Sequence, residues 1–502
     1  MFENFRNDFQ LILWFITFGK DLSALEQCIF SIFPEIFKLM QMFTSETYIS
    51  RRKKLSQKVS GGIILLLGNV DSPMNYADNT YYFRQDSSFL YFFGLDFQRL
   101  AGIIDTDSGE QIIFGDDFSL DDIIWMGPQI SLKEKADQVG IIRTEPYKNL
   151  QVNLEKAISA GRKIHFLPPY RADNKLLLFD LLGISVSKLN DFSSLELIKA
   201  IIDLRSVKEA QEIAEIRKAC AVGYQMHVTA MKMAKAGVWE QKIAGTIEGI
   251  ANAGGGTVSF PVILSQNGET LHNHDHSQTL QNGRLLIVDA GAEICSRYAS
   301  DFTRTMPVSG KFTQQQREIY EIVLAANNRG RELTKPGSSY LSVHLAASEV
   351  LASGLKALGL MKGNVKEAVA NGAHSLFMPH GLGHMMGLDV HDMEDLGQIY
   401  VGYDDEIRPV KQFGTANLRM GRRLQSGFVI TNEPGIYFIP ALIEKWKAEK
   451  INADFIQFDR LESYLNFGGI RLEDDILVTE TGSELLGDRI PVTPDEVEAM
   501  MQ

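Results

Sequence analysis

The chain has 502 residues, too many for one core, so two or three domains are expected. Apolar residues make up 45% and charged residues 23%, an ordinary globular balance. The net charge of −13 argues against sequence-independent binding to nucleic acid or to an anionic membrane, both of which need a basic face.

The first 41 residues differ from the rest. Phe9 to Phe18 is apolar but for Gln10 and Thr17. It is too short to span a bilayer. Glu3, Arg6 and Asp8 give its flank a negative balance, and no small-x-small site follows, unlike a signal peptide. Met42 opens a stretch that starts like a soluble domain. Residues 1–41 are therefore read as an upstream extension, with translation starting at Met42; the intact mass of the native protein tests this. Cys28, Cys220 and Cys295 are far apart and match neither a zinc spacing nor a disulfide framework. A reducing, cytoplasmic location is the expectation.

Residues 48–57, rich in Arg and Lys, predict the first turns of a helix. Gly62 to Leu67 is a continuous β-branched-rich run, the pattern of a buried strand. Leu90 to Phe93, Ala101 to Ile104, and Gln111 to Phe114 after the Asp107-Ser108-Gly109 turn read as further strands. This makes an α/β domain over 42–200. From Ser193 to about Lys235 the composition is helical. A break is expected at Asp203-Leu204-Arg205-Ser206, with Ser206 as N-cap and Glu209 as its capping-box partner. A second domain over 201–502 follows, with Gly254-Gly255-Gly256 at its entry.

Seven of the ten histidines lie between 272 and 391: His272, His274, His276, His374, His380, His384 and His391. Among them stand acids at the ends of apolar strands. Leu285 to Val288 runs into Asp289-Ala290-Gly291, and Asp301 follows twelve residues after Asp289; a hairpin would bring the two together. Phe428 to Asn432 runs into Glu433-Pro434-Gly435. In Ile470 to Ile476, alternation on one strand would put Arg471, Glu473 and Asp475 on one face. An acid closing an apolar strand is costly to bury alone. Four of them around a histidine cluster suit two hard or borderline cations bridged by carboxylates. In Met378-Pro379-His380-Gly381-Leu382-Gly383-His384 the two glycines argue for an extended segment, not a helix. His165, His227, His274, His276, His344 and His374 read as ordinary core or surface histidines.

These residues together resemble the pita-bread metallopeptidases, which include prolidase, aminopeptidase P and methionine aminopeptidase. The resemblance runs from about 45 to 490. Its motifs are Val-Asp-Ala-Gly-Ala-Glu at Asp289, Ser-Asp-Phe-Thr-Arg-Thr at Asp301, His-Gly-Leu-Gly-His at His384, Asn-Glu-Pro-Gly-Ile-Tyr at Glu433 and Gly-Ile-Arg-Leu-Glu-Asp-Asp at Glu473. It implies that Asp289, Asp301, His384, Glu433 and Glu473 hold two divalent ions, Mn2+ by preference. The family's aspartates are eleven residues apart, so the extra residue here is placed at a hairpin tip, Ile294 to Arg297. Tyr82 to Gly94 resembles the N-terminal domain of aminopeptidase P and prolidases. The implied architecture is that α/β domain followed by an α+β pita-bread catalytic domain.

The resemblance further implies catalytic roles for Glu433 (proton shuttle), His391 (oxyanion) and His272. It puts His380, His391 and Arg419 toward substrate, and Arg471 behind the ligands. The implied reaction is hydrolysis of the Xaa-Pro bond of a peptide with proline second. Arg419, in Leu-Arg-Met-Gly-Arg-Arg-Leu-Gln, matches the prolidase stretch that grips a dipeptide's carboxylate. The insertion Phe438 to Phe467 is also prolidase-like. Prolidase is thus favoured, with aminopeptidase P as the alternative. Binding-only or creatine-hydrolysing relatives are disfavoured by the complete ligand set. A homo-oligomer is implied.

Overall fold

The computed structural model describes residues 42–502; the apolar run at Phe9 to Phe18 and Cys28 lie outside them. Among the described residues, no helix is long and apolar enough to cross a membrane. Cys220 and Cys295 are free thiols, the first buried and the second exposed. The described chain divides into two compact units. The first holds 42–53, 67–104 and 110–150, and the second 54–66, 105–109 and 151–502.

The expected opening helix is α1 (Ser45–Lys58), and the apolar run is strand β1 (Ile63–Leu67). The segment read as a strand at Leu90 to Phe93 is instead helix α2 (Ser87–Phe93). Aromatic content suggested a strand, but the end residues decide the outcome. Asp86 caps the Phe89 N–H, and Gly94 closes the helix in the left-handed conformation. Arg52 is fully buried and donates to the Phe92 carbonyl at 2.9 Å, satisfying a C-terminal acceptor. Beyond it, β2 (Ala101–Asp105) and β3 (Gln111–Phe114) pair antiparallel as the turn predicts, and β4 (Arg143–Glu145) joins β3 in parallel.

In the second unit, α3 (Leu195–Ser206) and α4 (Ala210–Met233) meet three residues later than expected. Ser206 ends α3, its hydroxyl donating to the Ile202 carbonyl at 2.5 Å. The capping box belongs to Glu209 and Glu212. The interruption is Val207-Lys208-Glu209, because Asp203 to Arg205 keep their helical bonds and bury Arg205.

Two three-stranded antiparallel sheets carry the chemistry. One has β5 (Ile263–Ser265), β6 (Leu285–Ala290) and β7 (Phe302–Pro307), with β6 central; Asp289 lies opposite Thr303. The other centres on β10 (Asp474–Val478), flanked by β8 (Val429–Asn432) and by Ser483–Leu485. Between the Glu433 and Glu473 segments, β9 (Gly435–Tyr437) pairs with Gly469–Arg471. All six residues of β6 and all six of β7 are buried; β6 is accordingly an apolar run up to Asp289, whereas β7 buries Thr303, Arg304 and Thr305 among its apolar residues. The Phe438 to Phe467 insertion folds back on itself: Phe438 stacks on Tyr464 with ring centroids 4.5 Å apart.

Candidate active site

The four acidic ligand candidates sit at or beside strand ends. Asp289 is the penultimate residue of β6 and Asp301 directly precedes β7. The hairpin that joins them turns at Ile294 to Arg297, with Arg297 N–H on the Ile294 carbonyl and Arg297 at φ 67°. This turn is the tip at which the sequence reading placed the twelfth residue. The Asp301 N–H is held by the Asp475 carboxylate at 2.9 Å.

His384 lies on an extended segment, as its glycines imply. A Cβ at Gly383 would sit 2.1 Å from the Thr431 carbonyl, so only glycine lets this segment lie against β8. Thr431 in turn fixes His384: its N–H bonds the His384 carbonyl at 3.0 Å and its hydroxyl accepts the His384 N–H at 3.1 Å. Asn327 and Asn432 exchange side-chain amide bonds to each other's carbonyls at 3.1 and 2.9 Å, which locks the end of β8 just before Glu433.

The expected single strand through Arg471, Glu473 and Asp475 is broken. Gly469–Arg471 pairs with β9, β10 starts at Asp474, and Glu473 stands in the gap. The break lets Glu473 face β7, where its N–H meets the Thr303 carbonyl at 3.0 Å.

These placements converge. One ligand-capable atom each from Asp301, His384 and Glu473 lie within 4.8 Å of one another, all buried. His384 Nε2 is 3.3 Å from Asp301 Oδ2 and 4.0 Å from Glu433 Oε1. Asp289 joins through Arg471, whose Nη2 donates to Asp289 Oδ2 at 2.5 Å. Arg471 Nε also donates to Thr303 Oγ1 at 3.0 Å, and Thr303 donates to Glu473 Oε2 at 2.7 Å. The other Asp289 oxygen, Oδ1, is buried without a hydrogen-bond partner among the described residues.

Burial pushes the Asp301 and Glu473 carboxyls well above the usual range, and the neighbouring acids push them further. Burial lifts Glu433 to about 7 against the pull of Arg471. Acids this crowded cannot all be charged without a cation among them. His384 is held neutral, chiefly by burial and then by His391. Its Nδ1 faces the Met385 carbonyl at 3.0 Å and must donate there, leaving the Nε2 lone pair toward the acids. An unpartnered carboxylate oxygen, a free imidazole lone pair and mutually repelling carboxylates fit divalent metal ions.

The second ring of groups is also in place. His380 Nδ1 donates to the Gly381 carbonyl at 2.7 Å and lies 3.6 Å from Glu433 Oε2; its Nε2 accepts from Tyr437 at 3.0 Å. Burial and then Arg471 draw it down to about 3. The His391 ring lies 4.1 Å from the His384 ring. His272 is exposed, within reach of the Arg471, Asp289 and Arg419 charges. Arg419 donates from Nε to Glu394 at 3.0 Å, while its two terminal nitrogens make no hydrogen bond among the described residues. Of the histidines read as ordinary, His227 is buried and bonded to the Ala290 carbonyl at 3.0 Å, and His165 is buried against Ser194 at 2.7 Å. His274 and His276 bond the Val262 and Leu264 carbonyls. His344 and His374 are buried, and neither His344 nitrogen has a hydrogen-bond partner among the described residues.

Three contributors had no weight in the sequence reading: Thr303, Tyr437 and Glu394. Thr303 and Tyr437 stand inside quoted motifs, two and four residues from Asp301 and Glu433. Their position on a strand facing the acids was the available signal.

Residues 214–480 match the model of metallopeptidase family M24, and residues 48–165 match that of the aminopeptidase P N-terminal domain. The chain belongs to metallopeptidase family M24. It is 31% identical to Homo sapiens Xaa-Pro dipeptidase over 466 residues, covering 90% of this chain and 91% of that one. It is 30% identical to Escherichia coli Xaa-Pro aminopeptidase over 478 residues, covering 92% and 99%. Among solved structures, zinc-substituted E. coli aminopeptidase P in complex with product matches with a TM-score of 0.75 at 29% identity, covering 91% of this chain and 98% of that one. Pseudomonas aeruginosa aminopeptidase PepP matches with a TM-score of 0.75 at 28% identity, covering 91% and 98%. As an M24 member the chain is a hydrolase, built from an aminopeptidase P-type N-terminal domain and a pita-bread catalytic domain. Family membership implies divalent metal ions.

Proposed function

We propose that this M24 metallopeptidase hydrolyses the Xaa-Pro bond and prefers dipeptides, as a prolidase does. The ligands are Asp289, Asp301, His384, Glu433 and Glu473, and the ions are manganese, from the oxygen-rich donor set. A bound divalent pair supplies a nucleophile near neutral pH by lowering the pKa of water.

The chain's own groups supply the rest. Glu433 takes a proton and returns it to the leaving nitrogen. For proline that nitrogen becomes a secondary amine, and the bond cut has no N–H for a general peptidase to grip. His391 faces the developing negative charge on the carbonyl oxygen. His380 and His272 line the approach, and Arg471 offsets the charge of the acids behind them.

One observation carries the dipeptide preference. Arg419 is anchored through Nε alone, leaving a two-nitrogen fork unbonded, and its charge reaches His272, His380, His384 and Glu433. A fork of that kind matches a free C-terminal carboxylate. The second reading, an aminopeptidase P acting on longer peptides, is supported by the likeness to aminopeptidase P structures.

Arg419→Ala separates the two. A charge-assisted hydrogen bond is worth about 1.5–3 kcal/mol, so kcat/KM for Gly-Pro is expected to fall about 10- to 100-fold, mostly through KM. Turnover of Gly-Pro-Pro is expected to change little. An unchanged Gly-Pro KM sinks the dipeptidase reading. The proposal also places the domain boundary near residue 200, in the interval 166–213 that neither family match covers. It takes the working form to be a cytoplasmic homo-oligomer.

A further inference from the structure

We infer that Glu394 is a positioning residue that couples the grip on the substrate's chain end to the imidazole at the scissile carbonyl. The inference rests on the dipeptidase reading above, because it needs Arg419 to receive a carboxylate.

One carboxylate serves both groups. Glu394 Oε2 accepts from His391 Nδ1 at 2.5 Å, and Glu394 Oε1 accepts from Arg419 Nε at 3.0 Å. Each oxygen has its own cation-capable partner. Binding at Nε restrains the guanidinium plane, and neither terminal nitrogen hydrogen-bonds Glu394. Binding at Nδ1 fixes the ring, so that Nε2 is the nitrogen left for substrate. A long arginine side chain held this way loses less rotamer freedom when a ligand arrives.

The backbone around Glu394 is built to hold that carboxylate still. Met393, the residue before it, is buried in the left-handed region at φ 63°. That conformation is costly for an L-residue and persists only where the surroundings fix it. They do so here through Asp392, which is buried between Arg205 at 2.7 Å and Lys208 at 2.8 Å. The Asp392 N–H bonds the Met385 carbonyl at 2.9 Å, beside His384. The Glu394 N–H bonds the His391 carbonyl at 3.2 Å. The turn from His391 to Glu394 is therefore clamped at its middle, and the two side chains at its ends meet.

The test uses the manganese-loaded full chain with two substrates, Gly-Pro and glycyl-prolinamide. The amide lacks the carboxylate that Arg419 would receive. Partners in this layer typically carry about 10- to 100-fold of activity. Glu394→Ala is expected to lower kcat on both substrates through His391, and to raise KM at least tenfold on Gly-Pro only. In an Arg419→Ala background the KM effect of Glu394→Ala is expected to disappear, while the kcat effect persists. Glu394→Gln keeps the shape but offers one acceptor oxygen to two donors, so it is expected to fall between wild type and Glu394→Ala. That variant guards against a mere folding defect, as does equal metal content in all variants. A loss equal on both substrates with no KM change, or no loss at all, overturns the coupling. If Arg419→Ala itself leaves Gly-Pro KM unchanged, the dipeptidase reading fails instead. A raised KM in Arg419→Ala with none in Glu394→Ala overturns the role of Glu394 alone.

Discussion

Replacing Asp301 by asparagine is expected to abolish peptide hydrolysis and, in the same protein, to relieve strain in the metal-free fold. Asp301 is buried between Glu473, Asp289, Asp475 and Glu433, and each raises the cost of its charge. Its carboxylate is the common neighbour of His384 and Glu473. Its loss should cost more than the roughly 10- to 100-fold typical of outer-layer partners. Stability moves the other way. An acid whose carboxyl is raised in the folded state favours folding only while protonated, and stability falls as pH climbs through the unfolded value toward the folded one. At neutral pH the raised Asp301 carboxyl therefore opposes the metal-free fold, and asparagine removes that opposition. Thermal melting in chelator should show the variant at or above wild type. Added manganese should raise the wild-type midpoint and leave the variant's nearly unmoved. A variant that still binds two metals and turns over peptide would remove Asp301 from the ligand set.

Arg471→Met is expected to be the most destabilising single change at the site. Arg471 is 4% exposed and is the one cation seen to bond Asp289, Thr303 and Tyr437 together among the described residues. Methionine keeps much of the volume, so the change isolates the charge. Removing one member of a buried ion pair leaves the other uncompensated and typically costs about 3–5 kcal/mol. The loss should be largest in chelator, where Asp289 has no other counter-charge, and smaller with metal bound. Denaturant unfolding in both conditions measures it. A change below about 1 kcal/mol in chelator would mean that the Asp289 carboxyl does not depend on Arg471.

The site was legible because its acids close apolar strands, a costly arrangement that stands out from composition alone. The glycines at 381 and 383 also gave the right local structure, since a helix would not tolerate them and the fold needs close approach there. What escaped lies in irregular backbone. Leu90 to Phe93 has strand-like residues, and only its caps, Asp86 and Gly94, make it a helix. The break after Arg471 is set by pairing with two different partners, β9 and β8, which no local pattern encodes. Glu394 follows a left-handed methionine in a turn without periodicity, so nothing in the sequence tied it to His391 or to Arg419 twenty-five residues on.

The central claim is that a pair of divalent ions held by these five residues cuts the bond before proline. Its most direct test is hydrolysis of Gly-Pro and of Gly-Pro-Pro by the purified chain, with manganese and after chelation. The account predicts manganese-dependent release of glycine from Gly-Pro, lost on chelation and restored by adding the metal back, with Gly-Pro-Pro cut more slowly. Absence of manganese-dependent cleavage of either peptide would contradict it.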